Sequence, residues 1–402
     1  MKIRRVCFPL LVFITILAFI VPGVSSMVKV LLCLSHLFCI IIFLPQNKHS
    51  EITYLKWLFI FLFFCILSVL WALERRVSLW VILMQQFPIY SLCTSSFLYI
   101  RSKTDLISLL KCIYFASVFL LLAVASLTDF SSLDGSRLYI DTADDSVWNP
   151  NFIGLDLAFG SYAGFFAIIK NGRSRLLKLF WAITTLVMIV AILLSGSRSA
   201  LITLVAPLII YSIYGNNHAF AGLLIVSSLL VALFVSIMEI PVLYSNIGVR
   251  IEEMINIFSV NGDGSGDDSR LILVLSGLTW FMDNPIFGVG INNFRVLSSQ
   301  RLPYAIAFYA HNNYVELLVD IGLVGFIIYY FFVILLHKEI KTLPLQEKRW
   351  VVAFSFVLLL ADVTNVSYYE VMLQLVICIL FSINKINRIN RINTKELKYE
   401  SN

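Results

Sequence analysis

Residues 179–215 read LFWAITTLVMIVAILLSGSRSALITLVAPLIIYSIYG, two apolar runs (179–196 and 199–215) joined through Ser195-Gly196-Ser197-Arg198-Ser199. About 30 Å of hydrocarbon divided by a rise of about 1.5 Å per residue asks for about 20 residues, so each run approaches one membrane crossing. A turn this short forces the two helices to run antiparallel, and Arg198 is the one charge between them. Further runs lie at 6–23, 27–45, 54–73, 77–100, 106–127, 151–169, 219–240, 314–336, 349–365 and 368–383. The 402-residue chain is 59% apolar and 13% charged, with a mean hydropathy of +0.89. A water-soluble domain would be about half apolar and about one-quarter charged, so one large soluble core is excluded. The expected fold is an all-α integral membrane protein with about 12 transmembrane helices.

An even number of crossings puts both termini on one side. Short cytoplasmic connections accumulate Lys and Arg, and an N-in, C-in arrangement places 21 of the 30 basic residues inside. The net charge of +6 is therefore an orientation signal, and with no basic cluster interleaved with exposed aromatics there is no case for nucleic acid. Residues 1–127 then carry helices one to five, 128–150 an outer loop, and 151–240 helices six to nine. Residues 241–313 form a large outer loop with short helices, 314–383 the last three helices, and 384–402 a cytoplasmic tail too short to fold alone. Residues 6–22 follow three basic residues as in a signal peptide, but another run follows at once, so a retained first helix is expected. All seven cysteines fall in apolar runs and read as small core hydrophobes. Gly288-Val289-Gly290 lacks the strand, lysine and spacing of a phosphate loop and reads as a turn, so no ATP chemistry is expected.

Function is sought in the two outer loops. Of five histidines, His311 alone lies there, and an imidazole at that interface exchanges protons near neutral pH. It opens His311-Asn312-Asn313-Tyr314-Val315-Glu316, where Asn312 also fits a plain helix cap. Arg198 offers a planar fork that matches a diphosphate, or it snorkels to the interface. Its flanking serines offer further donors. Arg270 falls in the first turn of a helix running through Met282, where backbone N–H groups already favour an anion; the alternative is a surface pair with Asp267 or Asp268. Asn261–Asp268 is an acidic turn without the pattern of a calcium loop. Arg295 and Arg301 attract acidic glycan or lipid headgroups, or are solvated loop arginines. Trp148 and Asn151, around Asn149-Pro150, are of the type that contact sugars, or form an interfacial helix start. Gly322 and Gly325 read as helix-packing positions. Asp156, Asp320 and Asp362 are carboxylates within spans, and Asp320, deeper than the other two, keeps a proton-coupled transporter reading open. No cluster of metal-ligand type is evident.

In order, Ser-Arg-Ser-Ala around Arg198, an outer loop with Asp268-Ser269-Arg270 leading through Asn284-Pro285-Ile286-Phe287-Gly288-Val289-Gly290, and His311-Asn312 followed after nine residues by Gly322-x-x-Gly325 resemble the O-antigen ligase and O-antigen polymerase superfamily. The resemblance covers about residues 140–335. It implies a C-type glycosyltransferase of the bacterial inner membrane, active at the periplasmic face, with an undecaprenyl-diphosphate-linked glycan as donor and no cofactor or metal. A ligase transfers that glycan to lipid A-core, and a polymerase to another lipid-linked repeat unit. By motif, Arg198 and Arg270 would neutralise the departing diphosphate and His311 would orient or deprotonate the acceptor hydroxyl, with inversion at the anomeric carbon. The spacing after His311 favours the ligase over the polymerase. A lipid-linked glycan flippase or other secondary transporter is a third reading, weakened by the lack of an internal repeat.

Overall fold

A computed structural model describes residues 2–44, 53–128, 149–171, 174–214, 219–249, 252, 268–302 and 307–400. Among the described residues all regular structure is helical. Seven helices are long and apolar enough to cross a membrane: Ser26–Phe43, Arg75–Tyr99, Lys103–Leu127, Pro150–Ile169, Arg175–Leu194, Asn313–Thr342 and Val371–Asn393. Shorter apolar helices cover Arg5–Ile20, Thr53–Ser68, Arg198–Ile213 and Leu230–Glu239. The chain divides into two compact units, each described by itself.

The first unit comprises Met1–Ser25, Lys103–Asp263 and Arg349–Val357. It holds α1 (Lys2–Ile20), α5 (Lys103–Leu127), α6 (Pro150–Ile169), α7 (Arg175–Leu194), α8 (Arg198–Ile213) and α9 (Ala219–Glu239). Helix α6 is the hub, packed on α5, α7 and α8, and nearly all of its residues are buried. Close approach explains its glycines: a Cβ at Gly160 would meet the Ser117 side chain of α5 at 2.2 Å. Small residues at such contacts let helix backbones pack where no hydrophobic drive operates between them. Around Trp350 an aromatic cluster forms, with Tyr211 stacked on it at 4.2 Å and Phe166 edge-on at 4.8 Å.

The second unit comprises Ser26–Ser102, Gly264–Lys348 and Leu358–Asn402. It holds α2 (Ser26–Phe43), α3 (Thr53–Ser68), α4 (Arg75–Tyr99), α10 (Asp268–Asp283), α11 (Phe294–Arg301), α12 (Asn313–Glu339) and α14 (Val371–Glu400). Helix α13 (Leu345–Ala361) contributes to both units. Helix α2 packs on α4, where the buried His36 Nδ1 meets Ser95 Oγ at 2.8 Å, a structural use for that histidine. Leu31, Leu34, Phe38 and Ile41 on α2 remain exposed, which suits a lipid-facing surface. Helices α10 and α11 are the short helices expected in the large loop, and α10 matches the expected run through Met282.

Two expectations change. Residues 384–400 do not form a separate tail, because α14 runs on to Glu400. Ile386, Ile389 and Ile392 recur every three residues and make one apolar stripe, so the polar repeat continues a helix that already exists. Asn387 and Arg391 fasten it by donating to the Thr342 carbonyl beyond the end of α12. The cysteines are only partly core: five of the seven are buried, while Cys7 is exposed and Cys39 half-buried.

Candidate functional site

Helix α12 is broken at Gly322, whose φ of 64° and ψ of −171° belong to a region open almost only to glycine. The break frees backbone groups, and the segment after α10 docks on them. Val289 and Gly290 donate to the carbonyls of Val319 and Asp320 at 3.0 and 2.7 Å, while Leu323 donates to Pro285 at 2.9 Å. A Cβ on Gly322 would lie 2.3 Å from the Ile286 oxygen. Gly322 is thus a backbone-conformation residue, not the helix-packing position expected. Gly288 and Gly290 have φ of 66° and 99°, and the expected turn is present there.

Asp320 fixes the next step. Its two carboxylate oxygens accept the Asn292 and Phe294 N–H groups, each at 2.6 Å, at the start of α11. Free N–H groups at a helix start and the acceptor oxygens of a buried carboxyl group satisfy each other. Both oxygens are committed to backbone, so the transporter reading that rested on Asp320 loses its residue. Helix α11, held in this way, carries Arg295 in its first turn.

Arg295 is half-buried and not the solvated loop arginine that its position in the sequence allowed. Its guanidinium lies 5.2 Å from the Tyr309 ring centroid and donates to the Tyr369 hydroxyl at 3.1 Å, while Nε is buried without a hydrogen-bond partner among the described residues. Burial works against its charge, but Tyr369 and Glu316 outweigh burial and raise its pKa. Glu316 is fully buried; its Oε2 accepts the Ala310 N–H at 2.6 Å and its Oε1 has no hydrogen-bond partner among the described residues.

The Ala310 bond steadies the residue just before His311. His311 adopts φ of 52°, uncommon for a residue with a side chain, and its ring lies against Tyr309 with centroids 3.9 Å apart. Its Nδ1 is buried and has no hydrogen-bond partner among the described residues. Burial first, then the charges of Arg270 and Arg295, push its pKa down to about 4. The imidazole is therefore neutral at pH 7 and keeps a lone pair to offer. Asn312 caps α12, its Oδ1 accepting from Val315 N–H at 3.1 Å and its Nδ2 donating to the Val363 carbonyl at 3.1 Å. The cap expected of it is present.

The second unit thus gathers His311, Arg270 and Arg295 into one electrostatic neighbourhood. Arg301 stands apart from them in kind, exposed and paired with Asp283 at 2.9 Å, a surface ion pair worth about 0–1 kcal/mol. Asp267, the other expected pairing partner of Arg270 beside Asp268, lies outside the described residues, as does the Asp268 side chain. In the first unit, Arg198 is half-buried at the first position of α8. The serines beside it close the turn instead of presenting spare donors: Ser195 Oγ donates to Ile192 O at 2.7 Å, and Ser197 Oγ caps Ala200 N at 3.3 Å. Asn151 is buried in the first turn of α6 and donates its N–H to the cap Asn149 at 3.0 Å, the helix-start arrangement of the two readings offered. Trp148 lies outside the described residues.

Glu316, Tyr309 and Tyr369 had escaped notice in the sequence. A carboxylate one turn into an apolar helix was a usable signal for Glu316. No local pattern pointed to Tyr369, which meets Arg295 across 74 residues of chain.

The O-Antigen ligase family model matches residues 183–330. The matched stretch includes Arg198, Arg270, Arg295, Arg301, His311 and Glu316, and it agrees with the superfamily resemblance drawn from the motifs. The match spans 148 of the 402 residues, in a chain whose long apolar helices are those of a multi-pass membrane protein. No curated protein matches the chain.

Proposed function

We propose that the protein is an O-antigen ligase-like glycosyltransferase, moving a glycan from undecaprenyl diphosphate to lipid A-core at the periplasmic face of the inner membrane. The observation that carries this reading is a neutral, half-buried imidazole whose Nδ1 is buried without a hydrogen-bond partner among the described residues, within electrostatic reach of Arg270 and Arg295 inside the matched stretch. Arg270 and Arg295 receive the donor diphosphate, and Arg198 is assigned the same task by its motif. Their charges stabilise the negative charge that grows on the leaving group as the anomeric C–O bond breaks.

The acceptor hydroxyl attacks from the opposite side, forming the new glycosidic bond and passing its proton to His311. A pKa near 4 makes the free enzyme's imidazole a weak base. The bound diphosphate cancels the two cations that depress it, so the base strengthens when the donor is in place. The diphosphate leaves with the bonding electron pair and the configuration inverts. The same steps serve a polymerase, with a lipid-linked repeat unit as acceptor.

Purified protein in detergent, given lipid-linked donor and each acceptor in turn, tests the reading. Transfer to lipid A-core supports the ligase, and transfer only to the lipid-linked repeat replaces it with the polymerase. No transfer to either acceptor by folded protein overturns both.

A further inference from the structure

At the far end of α12 from His311 the second unit encloses a cavity of about 410 Å³ between the starts and ends of α3, α4, α12 and α14. Tyr54, Phe97 and Phe381 make an apolar wall. Lys338, Lys385, Arg388 and Arg391 surround the rest, against one carboxylate, Glu339. Lys385 is buried, donating to the Phe97 carbonyl at 2.6 Å and lying over the Phe97 ring, so it fixes positive charge in the wall. Asn384 is 7% exposed and its amide interacts with the Glu339 carboxylate, although under strict geometry neither Nδ2 nor Oδ1 has a hydrogen-bond partner among the described residues. A phosphate oxygen in the cavity would accept from Nδ2 in good geometry.

We infer that this cavity binds a phosphate ester, and that the ester belongs to the headgroup of an anionic membrane lipid. Four cations against one carboxylate select an anion, and Arg388 and Arg391 offer forks suited to phosphate oxygens. A soluble phosphate has no use for three aromatic rings, whereas a headgroup brings glycerol and the first acyl carbons to lie on them. Depth agrees: residues 313–342 at about 1.5 Å each extend about 45 Å, so a cavity at the end of α12 sits at the headgroup level of the face opposite His311. Basic hollows between spanning helices are typical seats for such headgroups.

Native mass spectrometry of the full-length protein, released from detergent containing cardiolipin, phosphatidylglycerol or phosphatidylcholine, reads the lipid retained. The two anionic lipids should be retained in preference to phosphatidylcholine. Removing two cations with Lys338→Gln and Arg388→Gln together should weaken anionic retention about twenty-five-fold, at about five-fold per basic residue, and leave phosphatidylcholine unchanged. Asn384→Leu keeps the branched heavy-atom shape of the side chain, should fold, and should reduce anionic retention several-fold. Added inorganic phosphate that leaves the lipid bound supports the headgroup source; phosphate that displaces it supports the phosphate site and reassigns the source to a soluble ester. Wild-type retention by either folded variant, or equal retention of all three lipids by the wild type, overturns the inference.

Discussion

His311 is exposed enough to be reached and buried enough to be held neutral, and its neighbours decide how it titrates. General-base help is typically worth about 10²–10⁴-fold, so His311→Ala should lose about that factor in transfer while the purified protein remains monodisperse. His311→Asn separates chemistry from backbone conformation, because Asn tolerates φ near 52° as well as any residue except glycine. Near-native turnover by His311→Asn would remove the imidazole from the mechanism. The sign of the pH effect follows from the lowered pKa: the working neutral form predominates above about pH 4 in the free enzyme and is lost as pH falls through that value. With the diphosphate bound, the cations are offset and protonation sets in at higher pH. The acid limb of kcat should therefore lie above the acid limb of kcat/KM, and coincident limbs would reject coupling between donor and base. Arg270→Lys and Arg295→Lys should each lose most activity, since a lysine keeps the charge and lacks the fork. His311 was legible in the sequence as the one histidine of the outer loops, and Arg198 and Arg270 through the motifs around them. Glu316 carried a usable signal as a carboxylate in an apolar helix, whereas Tyr309 and Tyr369 did not, because what makes them matter is proximity across the chain.

At the scale of elements, the broken helix α12 does what no amphipathic pattern announces. Its hydropathy is that of an uninterrupted span, and Gly322-x-x-Gly325 looks like any small-residue packing face. The difference lies in what a Cβ would meet. At Gly322 it meets the Ile286 backbone and the left-handed φ of 64° adds strain; at Gly325 it meets the Ile321 side chain of its own helix, with no left-handed φ to add. Gly322→Ala should cost more than about 2 kcal/mol, combining a backbone region nearly closed to other residues with a steric overlap. Gly325→Ala should cost less. Thermal unfolding in detergent measures both, and equal shifts would return Gly322 to a packing role. Asp320→Asn tests the same joint from the other side: the amide nitrogen would face an N–H group where a carboxylate oxygen had accepted, leaving a buried donor unmatched at about 1–3 kcal/mol. Since α11 carries Arg295 and starts on Asp320, that variant should lose transfer along with stability. A transporter using Asp320 as its proton site would lose pH-driven uptake at unchanged melting temperature.

For the whole molecule the number of crossings is the open quantity, and it is decided by parity. Twelve apolar runs were legible because hydrocarbon thickness imposes a length on every span, and the described helices other than α10 and α11 overlap those runs, with boundaries shifted by caps such as Asn149, Ser197 and Asn312. If only the seven longest helices cross, the termini face opposite sides; with twelve crossings they share one. Helices α7 and α8 argue for the larger number. Helix α7 has 20 residues and ends at Leu194, and α8 starts at Arg198, so the chain that has crossed once must turn at once into a further, mostly apolar helix of 16 residues. Those 16 extend about 24 Å, and the local bilayer thins or flanking side chains snorkel to complete the crossing at modest cost. The same holds for the 16 residues of α3. With 21 of 30 basic residues on the side that twelve crossings assign to the cytoplasm, both termini should be cytoplasmic. Single cysteines introduced at Ser25, Ser265 and Asn393 in a cysteine-free background test this with a membrane-impermeant reagent. Ser265, which lies outside the described residues, and Ser25 should react in cells with only the outer membrane opened, and Asn393 only once the inner membrane is permeabilised. Reaction of Asn393 in the first condition would put the C-terminus outside, reduce the crossings to an odd number, and move the basic cavity of α12 and α14 to the face proposed for transfer.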